Sequence, residues 1–338
     1  MVALADSSST FHGLRRFDVG RDIGPVTDVI AVAFADELGP GERSILREFR
    51  LLQYAAPALW LASRLTPDFD AVYGGFVWVE DGRIVGTLTL SRLGMTNDHW
   101  LISNVAVLPE YRRRHIARAL MEAAVDSARE RGGEVVTLQV RHTNLGAYHL
   151  YESLGFGLLE QTATLERPAA SLPTLEATPL PIRPWDAVDA DEALDLARVV
   201  FPEAYQEMLP LRRSDFRPDD VTGLTGTLLD WVRGYKIYRL AVPDADEFAA
   251  MMTLRARLRG GFHQLEMSVR PRWRGFVEPS LAAHALRLLA SHGRRPIIAE
   301  IRATENRAIE ALQAVGFRHA YTLDRLGLAL GPPGMRNS

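Results

Sequence analysis

Apolar residues recur along this chain in two periods, and the switches between them mark its elements. Residues 14 to 19 read as a short strand, after which Ile23, Val26, Ile30, Ala33 and Phe34 recur at helical spacing through 22 to 38. A second helical stretch is predicted from Glu42 to Arg64. Gly75 to Val79 and Ile84 to Leu90 are two strand-like runs around Glu80-Asp81-Gly82-Arg83, and the Asp-Gly pair supplies the positive φ angles of a tight hairpin. A further strand is expected from His99 to Val107, then a helix from Arg114 to Arg131 closed by Gly132-Gly133. A strand at Val135 to Val140, a helix from Asn144 to Leu154 and a terminal strand pair from Phe156 complete the run. Strands alternating with helices in this order imply an α/β (α+β) fold: a mixed, mostly antiparallel sheet flanked by helices.

The stretch Arg167 to Pro181, RPAASLPTLEATPLP, has four prolines and no period, and reads as a linker. Beyond it the pattern begins again. QVRHTNLGAYHLYESLGF (139 to 156) set over EIRATENRAIEALQAVGF (300 to 317) matches at five of eighteen positions without a gap, where chance gives about one. Pro109 aligns with Pro271 and Arg112 with Arg274. The chain is therefore read as two copies of one fold: residues 1–166, a linker at 167–181, a second copy at 182–330 and a tail at 331–338.

A length of 338 residues and a hydrophobic share of 47% suit two such cores. The net charge of −3 offers no general attraction to nucleic acid or to an anionic membrane, so neither is expected as a partner. With no cysteine, thiolate metal sites, disulfides and cysteine nucleophiles are excluded, and no metal is expected. The N-terminal residues lack a basic start and a long apolar run, which leads to the expectation of a cytoplasmic protein.

The chemistry concentrates in NVAVLPEYRRRHIARALMEAA (104 to 124): a strand, a proline turn, an arginine cluster and a helix. Amides in the first turn of a helix have no internal partners and lie at the positive end of its dipole, which suits a diphosphate. Arg112, Arg113 and Arg114 add charge there. This segment resembles motif A of the GNAT-type N-acetyltransferase superfamily, with Arg112, His115 and Ala117 in the signature positions. Histidine stands at 115 where that family usually has glycine. Asn144, Ala147, Tyr151, Gly155 and Phe156 resemble its motif B. Without those motifs, Arg112 to Arg114 read equally as a solvated helix start.

The resemblance implies an acetyl-CoA-dependent N-acetyltransferase in which a primary amine of a small molecule or peptide attacks the thioester directly. It implies Tyr151 as the general acid, although Tyr151 also fits a packing role beside Leu154. It implies cofactor contacts at Val105, Ala106 and Val107, through their main chain, at Arg112, Arg113, Arg114, His115, Ile116, Ala117 and Arg118, and at Asn144, which reads also as a helix N-cap. The positions where the family places a glutamate base hold Leu101 and Gln139. His99, on the same strand face as Leu101, is a candidate base. A lysine-like amine must spend about 4.6 kcal/mol to lose a proton at pH 7 and an α-amine about 1 kcal/mol, so without a base the α-amine is the easier acceptor.

In the second copy Val277 and Pro279 replace the small residues of motif A, Glu305 replaces Asn144 and Leu312 replaces Tyr151. That copy is expected to bind cofactor poorly and not to catalyse by this route. The tandem copies suggest a monomeric pseudo-dimer or a homodimer. The alternative is a non-catalytic acyl-CoA-binding or regulatory module, consistent with His115 and with the absent carboxylate base.

Overall fold

The computed structural model describes residues 11–35, 74–93, 98–171, 178–216 and 234–331. The helix expected at 42 to 64 lies outside these residues, as does most of the 331–338 tail.

In the first half the chain forms strand β1 (Gly13–Arg16), helix α1 (Val19–Ala33), strands β2 (Gly74–Glu80), β3 (Arg83–Leu93) and β4 (His99–Val107), helix α2 (Ile116–Glu130), strand β5 (Val135–Arg141), helix α3 (Leu145–Ser153) and strand β6 (Gly157–Arg167). The second half adds β7 (Arg183–Pro184), α4 (Ala190–Val200), α5 (Glu203–Met208), β8 (Tyr235–Asp244), β9 (Glu247–Arg257), β10 (His263–Val269), α6 (Glu278–Ala290), β11 (Ile297–Arg302), α7 (Asn306–Ala314) and β12 (Arg318–Ala329).

Two expectations shift. Helix α1 starts at 19, because Asp18 caps it by accepting from the Gly20 amide, and it ends at 33. The predicted strand pair after Phe156 is one 11-residue strand, since GLLEQTATLER contains no turn residue after its first position.

Contacts divide the chain into two compact units. The first holds residues 1–139, 149–157 and 327–338, and the second holds 140–148 and 158–326. The chain thus interleaves: residues 162–167 of β6 pair in register with β11, Leu165 opposite Ala299, inside the second unit.

In the first unit the strand order is β1-β2-β3-β4-β5, antiparallel throughout except for the parallel pair β4–β5. The β2–β3 hairpin turns at Asp81 (φ 50°) and Gly82 (φ 75°), as its Asp-Gly pair predicts. Its helix α2 packs Leu120, Met121, Ala124 and Ala128, all fully buried, against this sheet. Gly86 on β3 permits the approach: a Cβ there would lie 2.9 Å from Ile116 Cγ2 and 3.3 Å from Leu120 Cδ1. Asp22, 1% exposed, anchors α1 to β1 through Arg15 at 2.5 and 2.9 Å.

In the second unit the order is β12-β6-β11-β10-β9-β8-β7, with β10–β11 parallel. Its core joins Leu254, Leu265, Leu281, Leu289, Ile301 and Leu312.

Candidate functional site

Strand β4 is where the first unit opens. Its parallel pairing with β5 runs from His99↔Val135 to Ile102↔Leu138 and goes no further. Opposite β3 the register slips between Thr87↔Ala106 and Thr89↔Ser103, so β4 carries one extra residue, and Asn104 takes φ 52°. The bulge bends β4, and Ser103 to Val107 lie beyond its last pair with β5. Val105 is half-buried, while Ala106 and Val107 are buried. Such a stretch offers backbone donors and acceptors to an extended ligand, as an open sheet edge does.

Leaving β4, the chain makes a 3-10 turn at Pro109–Tyr111 and reaches α2 through Arg112–His115, all four exposed. Arg113 (φ 62°) and His115 (φ 59°, ψ 10°) both adopt the left-handed conformation. Turns of this kind form anion-binding nests. No side chain caps α2, and its first internal bond is from the Ala119 amide to the His115 carbonyl. The amides of Ile116, Ala117 and Arg118 therefore precede the internal ladder and keep their donor capacity. The donor set fits a diphosphate: backbone amides at a positive helix end, with exposed guanidinium groups beside them.

The arginines divide their work. Arg112 donates from Nε to the Val107 carbonyl at 3.2 Å and from Nη2 to the Ala33 carbonyl at 3.3 Å, so it holds the loop to β4 and α1. Arg118 donates to Ser153 Oγ at 2.6 Å and ties α2 to α3. Arg114 lies over the Tyr111 ring, 5.1 Å from its centroid, and bonds the Glu110 carbonyl at 3.4 Å. Arg113 is exposed.

Tyr151 lies on α3, two residues before the Ser153 that Arg118 holds, and is 5% exposed with its ring 6.2 Å from that of Phe156. Asn144 caps α3: its Oδ1 accepts from the Ala147 amide at 3.2 Å. The N-cap role is thus the one its geometry shows.

His99 is not brought to this site. It begins β4 and bonds Thr137 Oγ1 at 2.8 Å. At about 3.3 Å per residue it lies roughly 20 Å along the strand from Val105. His99 and Leu101 share one face of β4, but His99 stands at the end of the strand away from the bulge at Asn104. Leu101 and Gln139 carry no titratable group.

The second unit repeats the frame with other contents. Pro271–Trp273 is again a 3-10 turn, and Arg274 Nε donates to the Val269 carbonyl at 3.3 Å, as Arg112 does to Val107. Val277, at the place of His115, has an ordinary helical φ of −97°. Glu278, 1% exposed, turns its carboxylate onto the Gly275 amide at 2.8 Å. Glu305 likewise accepts from the Val269 amide at 3.2 Å. Burial raises the Glu305 pKa to about 7 against the opposing pull of Arg302 and Arg274. Two carboxylates thus occupy the amides of Gly275 and Val269, at the places of Arg113 and Val107 in the first unit. The sequence shows Glu278 and Glu305, but only the fold reveals which amides they cover. Among the described residues no helix is long and apolar enough to cross a membrane, and no three His, Asp or Glu side chains gather as a metal site.

Residues 43–156 match the acetyltransferase (GNAT) family. This part of the chain is similar to that family. The matched segment spans the open β4, the loop, α2 and Tyr151, although its residues 43–73 and 94–97 lie outside those described. The [ribosomal protein bS18]-alanine N-acetyltransferase of Escherichia coli is 44% identical over 59 residues, 18% of this chain and 40% of that protein. The chain thus spans about two fifths of the length of this curated relative. Among solved structures, a GCN5-related N-acetyltransferase from Sphaerobacter thermophilus superposes with a TM-score of 0.60 at 15% identity, covering 95% of this chain and 97% of that one. A tandem GNAT protein from the clavulanic acid biosynthesis pathway gives 0.55 at 17%, over 94% and 99%. At these identities the likeness is one of fold: a tandem GNAT architecture.

Proposed function

We propose that this protein is an acetyl-CoA-dependent N-acetyltransferase whose working site lies in the first unit and whose acceptor is a primary amine of a small molecule or peptide. The observation that carries this reading is the uncapped start of α2 after a left-handed loop, next to the unpaired end of β4. The domain reading that goes with it is an active copy at 1–166 and a degenerate one at 182–330.

Acetyl-CoA supplies an activated thioester, which a neutral amine attacks at the carbonyl while coenzyme A leaves as its thiol. The residues' parts follow from their chemistry. The amides of Ile116, Ala117 and Arg118 and the exposed Arg113 and Arg114 would hold the diphosphate, and Val105 to Val107 would bond the pantetheine amides through the main chain. Arg112 and Arg118 keep the loop and α3 in place. Tyr151 would protonate the leaving thiolate: a phenol of pKa about 10 is a usable donor to a thiol of pKa about 8.5 when the two are held in contact. No carboxylate stands at the two usual base positions, which favours acceptors such as an α-amine that deprotonate at small cost.

A second reading, a non-catalytic acyl-CoA-binding module, draws on the same missing base and on the burial of Tyr151. Thiol release from acetyl-CoA, followed across an amine panel rich in α-amines, separates the two. The enzyme reading predicts amine-dependent release that falls by about 10²-fold or more in Tyr151→Phe. Tight acetyl-CoA binding with no amine-dependent release would support the module, and unchanged turnover in Tyr151→Phe would remove Tyr151 from the acid role.

A further inference from the structure

The second unit contains a cleft of about 180 Å³ that the transfer reading leaves unused. Its floor is one face of the sheet, and that face is charged. Strand alternation brings Glu160 and Thr162 of β6, Glu300 and Arg302 of β11, and Glu266 and Ser268 of β10 to one side, while Ala163, Ala299, Ile301 and Leu265 turn to the core on the other. Phe201 and Tyr205 also line the cleft, from the end of α4 and from α5. A sheet face under an aromatic cover would ordinarily be apolar, because burying charge is costly unless the charges serve a partner.

Each end of the cleft holds both signs of charge, in unequal numbers. At one end two guanidinium groups share one carboxylate: Arg325 Nε lies 3.3 Å from Glu160 Oε1 and Arg302 Nε 3.5 Å from Glu160 Oε2. Arg302 stacks on Phe201, 3.6 Å from the ring centroid, and donates from Nη1 to Ser268 Oγ at 2.9 Å, yet its buried Nε–H has no hydrogen-bond partner. Arg302 also lies 3.7 Å from Glu305, whose charge is partly suppressed at neutral pH. At the other end Glu266 and Glu300 are register partners on adjacent parallel strands, an unfavourable like-charge pairing. Arg255 pairs with Glu266. Desolvation in the cleft, with the Glu266 charge beside it, raises the Glu300 pKa against the opposing pull of Arg255 and Arg325.

We infer that this cleft binds a small zwitterion of the amino-acid class, its carboxylate toward Arg302 and Arg325 and its ammonium toward Glu300 and Glu266, with its side chain against Phe201 and Tyr205. The surplus positive charge at the Glu160 end and the surplus negative charge at the Glu300 end are each completed by the opposite pole of such a ligand. A simple anion would add negative charge beside Glu300 and Glu266, and a simple amine would add positive charge beside Arg302 and Arg325, whereas a zwitterion adds no net charge. The inference uses neither Tyr151 nor any residue of the acetyl-CoA cradle, and stands or falls apart from the transfer reading.

The test is calorimetry on the full chain without acetyl-CoA. The twenty standard L-amino acids are titrated first. The strongest binder is then compared with its N-acetyl derivative, which lacks the ammonium, and with its decarboxylated amine. Binding of at least one amino acid is expected, and loss of either pole should weaken it by about ten- to a hundredfold, the worth of a hydrogen bond to a charged group. Glu300→Gln and Arg325→Gln should each weaken the amino acid by a similar factor while circular dichroism and the thermal midpoint show a folded chain. No heat from any amino acid, or equal binding of the one-poled analogues, would overturn the proposal, and both outcomes are read on the unaltered protein.

Discussion

His115 stands where the motif it resembles usually has glycine, and its backbone is left-handed. Glycine enters the left-handed region without cost, and His115 enters that region with φ 59°. For an L-residue the cost is about 1–2 kcal/mol. The departure at 115 is visible in the sequence, but whether the backbone keeps its shape is not. His115→Val places a β-branched side chain in the same conformation, so the chain should either lose about 1–2 kcal/mol in denaturant unfolding or relax the loop and weaken acetyl-CoA binding. A variant with unaltered stability and affinity would mean that the left-handed loop is not required.

Glu305 gives the second residue-scale prediction. Its folded pKa of about 7 lies above the usual carboxylate value of 4.5, so the folded state binds more protons between those pH values than the unfolded state. Stability then falls as pH rises from about 4.5 to 7, by at most ~3 kcal/mol, and stays lowered above that range. Glu305→Gln keeps an acceptor for the Val269 amide and removes the titration. Its thermal midpoint should exceed that of the parent at pH 8 and match it near pH 4.5. Parallel curves at both pH values would contradict the assignment.

At the scale of elements, the sequence discloses what local chemistry decides. The Asp81-Gly82 turn, β4 at 99–107 and the glycine stop after α2 all follow from residues within a few positions of one another. The bulge at Asn104 and the early end of the β4–β5 pairing depend on partners far along the chain, and nothing in ISNVAV signals them. The same holds for β6, whose alternation announces a strand but not its partner β11. Helix α2 presents the cradle, and its seat on the sheet is set by Leu120, fully buried beside Gly86. Leu120→Ala should cost about 3 kcal/mol in denaturant unfolding, with acetyl-CoA binding weakened through the displaced helix start. A cost under about 1 kcal/mol would show that α2 is not held by this contact.

For the molecule as a whole, the repeat in the sequence marks two copies, and the structure shows the same proline turn and the same arginine-to-strand bond in each unit. What separates the copies is the content of that frame. Neither helix start is capped by a side chain, but in the second unit Pro279 removes an amide from the first turn and buried carboxylates cover the Gly275 loop amide and the Val269 strand amide. Substitution at the aligned positions is legible from sequence alone. The capture of the donors by Glu278 and Glu305 needs the fold, because Glu305 reaches a strand 36 residues away. Titration of acetyl-CoA into the full chain by calorimetry tests this division most directly. The account predicts a single binding event per chain, weakened about tenfold or more when Arg113 and Arg114 are both changed to alanine. A second equivalent bound, or a curve that the two substitutions leave unmoved, would contradict it.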